Sequence, residues 1–215
     1  MVLSISESCL AVVFDLEYTA WEGSLQRNWS KTDEDPELIQ IGAVAIQQQG
    51  TRIFLGREFS IYVRPTVRPV LSTYIKNLTG ITQSQIDTAV DLSAALSEFA
   101  SFIPNGVPIC SNGDDLEIII RNCNLNSMKN PIMDVPFINV RGFLARKHLV
   151  APDCKSLHSH RLAYRDSLFS DDLGTQTRTS NHDALLDSVG VANELIRLNW
   201  WKQLDSDSEQ EITRN

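Results

Sequence analysis

The chain opens with apolar runs of strand length that alternate with polar segments. Their β-branched and aromatic residues predict strands at about 9–16, 38–46, 58–63, 107–110 and 137–140. The first three runs follow one another with no helical pattern between them, so they predict an antiparallel meander. The polar segment 21–37 within this meander is too long for a hairpin turn.

Beyond residue 70, apolar residues fall at helical spacing or in longer buried runs. Gly80 is placed as a helix C-terminal stop, Thr82 with Gln85 forms a capping-box pattern, and Asp91 is placed as an N-cap. The predicted helical segments are 71–78, 92–102, 116–123 and about 183–201.

Strands first, followed by alternating helices and strands, predict one α/β domain. We expect a mixed central sheet, in which parallel strands join the three-strand meander, with helices flanking it. The domain is predicted to span residues 1–201, and the acidic segment 202–215 is expected to be a disordered tail. No apolar run approaches the ~20 residues needed to cross a bilayer, so no membrane partner is expected.

A net charge of −8 argues against binding nucleic acid through the overall field of the protein. Between Arg141 and Arg165, however, six Lys and Arg residues stand against one acid. This basic stripe fits either a solvated helical face or a surface that follows phosphates. The four cysteines form no CxxC pair and no zinc-ligand spacing, which favours a reducing compartment and a cytoplasmic location.

The first strand ends in two acids, Asp15 and Glu17, with Leu16 between them. Side chains at positions i and i+2 of a strand point the same way, so both carboxylates leave one face and Leu16 faces the other. Two like charges held this close are costly to desolvate unless a cation lies between them. Such hard oxygen ligands suit Mg²⁺ or Mn²⁺ better than zinc.

Two later segments also carry acids, namely 111–115, which leads into a predicted helix, and 180–187, which opens the last one. Five residues of helix turn about 500°, so His182 and Asp187 cannot share a helical face. We therefore place His182 in the loop before the helix and Asp187 one turn inside it.

Taken together, these motifs resemble those of the DEDDh branch of the DnaQ-like 3′→5′ exonucleases. The similarity extends from about residue 9 to 198 and rests on residues 14–17 with 39–44, on 78–82, and on His182-x-Ala184-x-x-Asp187. Each motif is weak alone, but all three in this order are a specific combination.

This resemblance implies a ribonuclease-H-like fold, two divalent ions, and release of nucleoside monophosphates from a nucleic-acid 3′ end. It implies that Asp15, Glu17 and Asp187 are metal ligands and that His182 is the general base. Asp115 fits best as the remaining metal ligand, and Asp114 is the alternative. The chemistry is consistent, because two ions relieve charge at the attacking and leaving oxygens and an imidazole accepts a proton near neutral pH.

Three residues are candidates for substrate binding. Leu16 and Tyr18 flank the acids and are placed to touch the terminal nucleotide, while Asn112 fits either a phosphate contact or a helix cap. Two tryptophans of segment 21–37, Trp21 and Trp29, fit either base stacking or attachment of that segment to the body.

The expected partner is the 3′ end of single-stranded DNA or RNA, with the choice between them open. A homodimer is an alternative to a monomer, since dimers occur in the family. Two other functions remain as alternatives to the exonuclease: a catalytically weak module that binds 3′ ends, and a proofreading or processing subunit of a larger nucleic-acid machine. All five expected catalytic residue types are present, which favours the enzyme.

Overall fold

A computed structural model describes residues 7–147 and 182–201 of the chain. Most of the basic stripe, Cys154 and the acidic segment 202–215 lie outside the described residues. The strands are β1 (Glu7–Tyr18), β2 (Leu38–Gln49), β3 (Arg52–Tyr62), β4 (Ile109–Ser111) and β5 (Phe137–Asn139). The helices are α1 (Thr73–Thr79), α2 (Gln83–Asp87), α3 (Leu92–Phe102), α4 (Asp115–Leu125), α5 (Arg141–Arg146) and α6 (Ala184–Arg197).

These strands form one mixed sheet in the order β3-β2-β1-β4-β5. β1 pairs antiparallel with β2, and β2 pairs antiparallel with β3, while β4 is parallel to both β1 and β5. The predicted mixed sheet, with a three-strand meander and parallel strands, is therefore confirmed.

The hairpin between β2 and β3 is longer than its apolar pattern predicts. β2 continues to Gln49 and β3 begins at Arg52, several residues before the predicted start at 58. Gly50 adopts a positive φ of 61° in the turn, and the polar residues on either side of it pair directly, Gln49 with Arg52. The pattern misses the start of β3 because Ile53, Phe54 and Leu55 follow one another without apolar–polar alternation.

Helices cover both faces of the sheet, and β1 separates two apolar clusters. Its even-numbered residues, such as Val12 and Phe14, pack with residues of α3 and α4. Its odd-numbered residues, such as Ala11 and Val13, pack with residues of α5 and α6. Among the described helices, none is long and apolar enough to span a bilayer.

The predicted helix boundaries at residues 80, 82 and 91 are confirmed. Gly80 ends α1 in the left-handed conformation with φ 74°, which glycine adopts without a Cβ penalty. Thr82 forms a capping box with Gln85, and the Asp91 carboxylate accepts a hydrogen bond from the Ala94 amide at 2.8 Å.

The polar segment between β1 and β2 is attached to the body at several points. The Trp29 indole is buried and its Nε1 donates to the Thr19 carbonyl at 3.1 Å. Arg27 Nε donates to Glu34 Oε2 at 2.8 Å, and the buried Glu37 carboxylate accepts from the backbone amide of Thr66 at 2.7 Å. Of the two roles predicted for Trp29, attachment is the one that its burial and hydrogen bond support.

Candidate active site

The end of β1 presents Asp15 and Glu17 toward α6. Both continue the odd-numbered alternation that places Ala11 and Val13 against that helix. Leu16 points to the opposite face and is only 4% exposed within the other apolar cluster. The predicted contact of Leu16 with the terminal nucleotide stays a prediction.

The first turn of α6 carries the other half of the site. Asp183 is the N-cap, and its Oδ1 accepts a hydrogen bond from the Leu186 amide at 3.0 Å. His182 lies one residue before the cap, and Asp187 lies one turn inside, with its amide bonded to the Asp183 carbonyl at 2.9 Å. The loop position predicted for His182 is thus the one observed.

Tertiary folding brings Glu17, His182 and Asp187 together. His182 Nδ1 lies 3.9 Å from Glu17 Oε1 and 3.8 Å from Asp187 Oδ2. Glu17 and His182 are buried, whereas the Asp187 side chain is 28% exposed. The cluster is therefore open to solvent on the Asp187 side.

These three residues fit a divalent cation. Each offers one ligand atom, and those atoms all lie within 4.8 Å of one another. Carboxylate oxygens and imidazole nitrogen are ligands of divalent ions such as Mg²⁺, Mn²⁺ and Zn²⁺, and a majority of oxygens favours the harder two. Asp15 and Asp115 are not members of this close group, and the metal-ligand roles predicted for the four carboxylates stay predictions.

Asp115 is the first residue of α4 and is half-buried. Burial raises the pKa of its carboxyl from 3.8 to about 6, and the neighbouring Asp114 acts in the same direction. A hydrogen bond from Ser111 and the positive charge of Arg141 act against this rise. Burial therefore disfavours the ionised form of Asp115 in the metal-free protein.

Asp115→Asn is expected to stabilise the metal-free protein at alkaline pH. The folded-state pKa exceeds the unfolded value, so the unfolded chain loses this proton first and stability falls as the pH rises from about 4 to about 6. Removing the charge should recover about 1–3 kcal/mol at pH 8 and close to nothing near pH 4. Urea unfolding in EDTA at both pH values measures the difference.

Asp114, the exposed neighbour of Asp115, supplies the control for this experiment. Asp114→Asn should weaken the pH dependence of unfolding only slightly, because the exposed Asp114 charge contributes less to the raised pKa of Asp115 than burial does. An Asp115→Asn protein that is less stable than wild type at pH 8 would contradict the assignment of a burial penalty to this carboxyl.

Asp114 and Asn112 occupy different surroundings from Asp115. Asp114 is exposed at the N-cap of α4, makes no side-chain cap, and accepts a hydrogen bond from Asn139 Nδ2 at 3.3 Å. Asn112 is half-buried, and its Oδ1 has no hydrogen-bond donor among the described residues. The helix-cap role considered for Asn112 is therefore not adopted, while its phosphate contact stays a prediction.

Tyr18 lies beside the acids at the end of β1. Burial raises the pKa of its phenol far above the usual range, and the charges of Asp115, Glu17 and Asp15 raise it further. Its ring packs against Trp29 with centroids 5.6 Å apart. The phenol is therefore neutral at any physiological pH and is available as a hydrogen-bond donor, as a substrate contact would require.

Three residues of the site surroundings were not predicted. Ser111 and the Arg141 guanidinium both lower the pKa of the Asp115 carboxyl, and Gln40 contacts the start of α6. Gln40 belongs to the first motif and Arg141 opens the basic stripe, so both had a sequence signal. Ser111 had no sequence signal, because its position near Asp115 depends on the shape of the turn between β4 and α4.

Comparison with known proteins finds similarity over most of the chain. The family model for Exonuclease (RNase_T) matches residues 12–195. ERI1 exoribonuclease 2 of Mus musculus is 37% identical over 92 residues, which is 43% of this chain and 12% of that protein. The 3′-5′ exonuclease Snipper of Drosophila melanogaster is 29% identical over 103 residues, 48% of this chain and 34% of that protein.

A solved structure shares the fold. The nuclease domain of 3′hExo, a DEDDh family member bound to rAMP, superimposes with a TM-score of 0.67 at 22% identity, over 88% of this chain and 91% of that one. The expected ribonuclease-H-like fold is thereby confirmed. The chain spans only a small part of the length of the curated relatives it matches.

Proposed function

This chain belongs to the exonuclease family, and we propose that it is a metal-dependent 3′→5′ exonuclease that acts on single-stranded RNA ends. The observation that carries the proposal is the cluster of Glu17, His182 and Asp187, formed by residues about 165 positions apart in the chain. Two acids and an imidazole that the fold gathers from distant segments are typical of a functional site.

The residues divide the chemistry between them. Glu17 and Asp187, with Asp15 and Asp115, would hold Mg²⁺ or Mn²⁺, which when bound relieves the charge that develops on the reacting phosphate. His182 accepts the proton of the attacking water and is suited to this because imidazole titrates near neutral pH. The bond broken is that between phosphorus and the 3′ oxygen of the preceding nucleotide, and a nucleoside monophosphate leaves.

Burial of the base supports this division of roles. His182 is 5% exposed, so bulk water has little access to its ring. A water held between the imidazole and a substrate phosphate would enter from the Asp187 side, where the cluster is open to solvent. The neutral Tyr18 phenol supplies a hydrogen-bond donor next to the acids, which suits a phosphate or a terminal ribose.

RNA is proposed over DNA because of the relatives. The ERI1 exoribonuclease 2 proteins of four vertebrates are 34% to 37% identical to this chain over 92 residues, and their name states an action on RNA. Discrimination against DNA would require a contact to the 2′-hydroxyl of the terminal nucleotide. Tyr18 is the residue of the site that we propose for this contact.

The test uses two single strands of one base sequence, one of RNA and one of DNA, each labelled at the 5′ end. Each strand is incubated with Mg²⁺, with Mn²⁺ or with EDTA, and Asp15→Ala protein runs alongside. We expect metal-dependent shortening from the 3′ end, faster on RNA, and no shortening by the variant. Asp15→Ala should keep its fold, since loss of one carboxylate relieves repulsion in the acidic site.

Each other outcome has a defined meaning. Faster cleavage of DNA would overturn the proposed substrate and keep the exonuclease. Binding of both strands without cleavage would overturn the enzyme in favour of a module that binds 3′ ends. An Asp15→Ala protein as active as wild type would remove Asp15 from the site.

A further inference from the structure

Gln40 is a buried polar residue at the edge of the site. It lies in β2 directly opposite Glu17, and only 1% of it is exposed. Residues that face each other across an antiparallel pair project to the same side of the sheet. The Gln40 carboxamide therefore lies on the side where α6 packs, next to the Glu17 carboxylate.

This carboxamide contacts the start of α6 with both of its polar atoms. Gln40 Oε1 accepts a hydrogen bond from the Ala184 amide at 3.2 Å. Gln40 Nε2 lies 3.5 Å from Asp183 Oδ2 and 3.3 Å from Ser60 Oγ, and donates to both. The first amides of a helix have no partner within the helix, so Gln40 satisfies a group that would otherwise be left unpaired in a buried place.

The same face of β2 lets the helix approach very closely. Gly42 lies opposite Asp15, two residues after Gln40. A Cβ atom built on Gly42 would lie 2.5 Å from Leu185 Cα and would also overlap backbone atoms of Ala184. The backbone of α6 thus rests on β2 itself, and the Gln40 side chain bonds its first residues there.

Glu17 comes from β1, whereas His182 and Asp187 come from the segment that Gln40 holds. The distances of 3.8 Å and 3.9 Å around His182 Nδ1 therefore depend on where the start of α6 lies relative to the sheet. His182 is two residues from Ala184 and one from Asp183, so a shift at either contact moves it directly.

We propose that Gln40 is a positioning residue, whose carboxamide fixes the start of α6 on β2 and so sets the separation of His182 and Asp187 from Glu17. It touches neither substrate nor reacting atoms. The effect of Gln40 on catalysis rests on the proposed function. Its effect on the geometry of the site does not, because a metal titration detects that effect without any turnover.

The deciding variant is Gln40→Met, which keeps the length of the side chain and removes its hydrogen bonds to Ala184, Asp183 and Ser60. Mn²⁺ affinity, followed by electron paramagnetic resonance of the free ion, should fall about 10- to 100-fold, the range found when residues that orient metal ligands are replaced. Hydrogen exchange of the Ala184 amide should become faster, while that of Leu195, farther along α6, stays unchanged. On RNA, kcat should fall and KM should stay close to that of the wild type.

Ser60→Ala is the matched control, because it removes a partner of Gln40 and leaves the contact to Ala184 intact. It should bind Mn²⁺ like the wild type. Where Gln40→Met fails to fold, Gln40→Asn replaces it, since the shorter amide remains polar but does not reach Ala184. Wild-type Mn²⁺ affinity in the folded variant would overturn the proposal.

These measurements keep the two proposals separate. A wild-type protein that binds Mn²⁺ and cleaves nothing would overturn the proposed function, while the metal titration would still decide on Gln40. A wild-type protein that cleaves RNA, together with a Gln40→Met protein of equal Mn²⁺ affinity and equal kcat, would overturn the positioning role alone.

Discussion

His182→Ala is expected to lower kcat on RNA by about 10²- to 10⁴-fold, the range found when a general base is removed. The imidazole is buried beside Glu17 and Asp187, and no other described residue offers a titratable nitrogen in that cluster. The measurement is single-turnover cleavage of a labelled RNA strand, with enzyme in excess, as a function of pH. The wild-type rate should rise through the range in which a histidine loses its proton, and the variant should lack that rise.

A second role of His182, as a metal ligand, is tested with the same variant. Its Nδ1 lies within 4 Å of two carboxylate oxygens, so the ring could itself ligate a cation. Glu17→Gln supplies the comparison, since it removes a ligand charge without a large change of volume. If His182 is the base, His182→Ala should bind Mn²⁺ with nearly the affinity of the wild type. If the Mn²⁺ affinity of His182→Ala falls as far as that of Glu17→Gln, His182 is a ligand. Full activity of His182→Ala would remove it from the mechanism.

Gly42→Ala is expected to lower the free energy of unfolding by about 1–3 kcal/mol, the typical penalty for an added methyl group in a packed place. The added atom meets backbone of α6, which has less freedom to yield than the end of a flexible side chain. The helix would have to move away from β2 and take Asp187 with it. We therefore expect kcat to fall as well, and both effects are measured by urea unfolding and by RNA cleavage.

Gly142→Ala is the matched control for this substitution. Gly142 lies within α5, and a Cβ there would meet only the Arg146 Nη1 atom at an ordinary distance of 3.7 Å. Replacing a helical glycine with alanine typically stabilises by about 0.5–1 kcal/mol. If Gly42→Ala were as stable and as active as Gly142→Ala, the close approach of α6 to β2 would be refuted.

Local patterns in the sequence predicted the parts of the site that each element determines by itself. The alternation of β1 placed Asp15 and Glu17 on one face and Leu16 on the other, and the structure has them so. The angle between residues five apart in a helix placed His182 before α6, and Asp183 is indeed the N-cap. Helix ends at Gly80 and Asp91 followed from the conformations that these residue types favour.

Contacts between distant segments were not predictable from these patterns. Gln40 and Ala184 are 144 residues apart, and nothing local to either residue indicates that they bond. The close fit of α6 on Gly42 likewise depends on how the helix lies across the sheet. The sequence left two roles open for Trp29, base stacking and attachment of its segment to the body, because an aromatic residue in a polar segment fits both. Only its burial in the structure distinguishes them.

The most direct test of the central claim is a time course of RNA cleavage by Asp187→Asn and wild-type protein, resolved at single-nucleotide length. The substrate carries its label at the 5′ end, with Mg²⁺ present in excess. The account predicts that the wild type shortens the strand from its 3′ end one nucleotide at a time, and that Asp187→Asn, which lacks one carboxylate of the cluster, leaves it intact. Internal cuts, early release of a labelled mononucleotide, or equal cleavage by Asp187→Asn would contradict it.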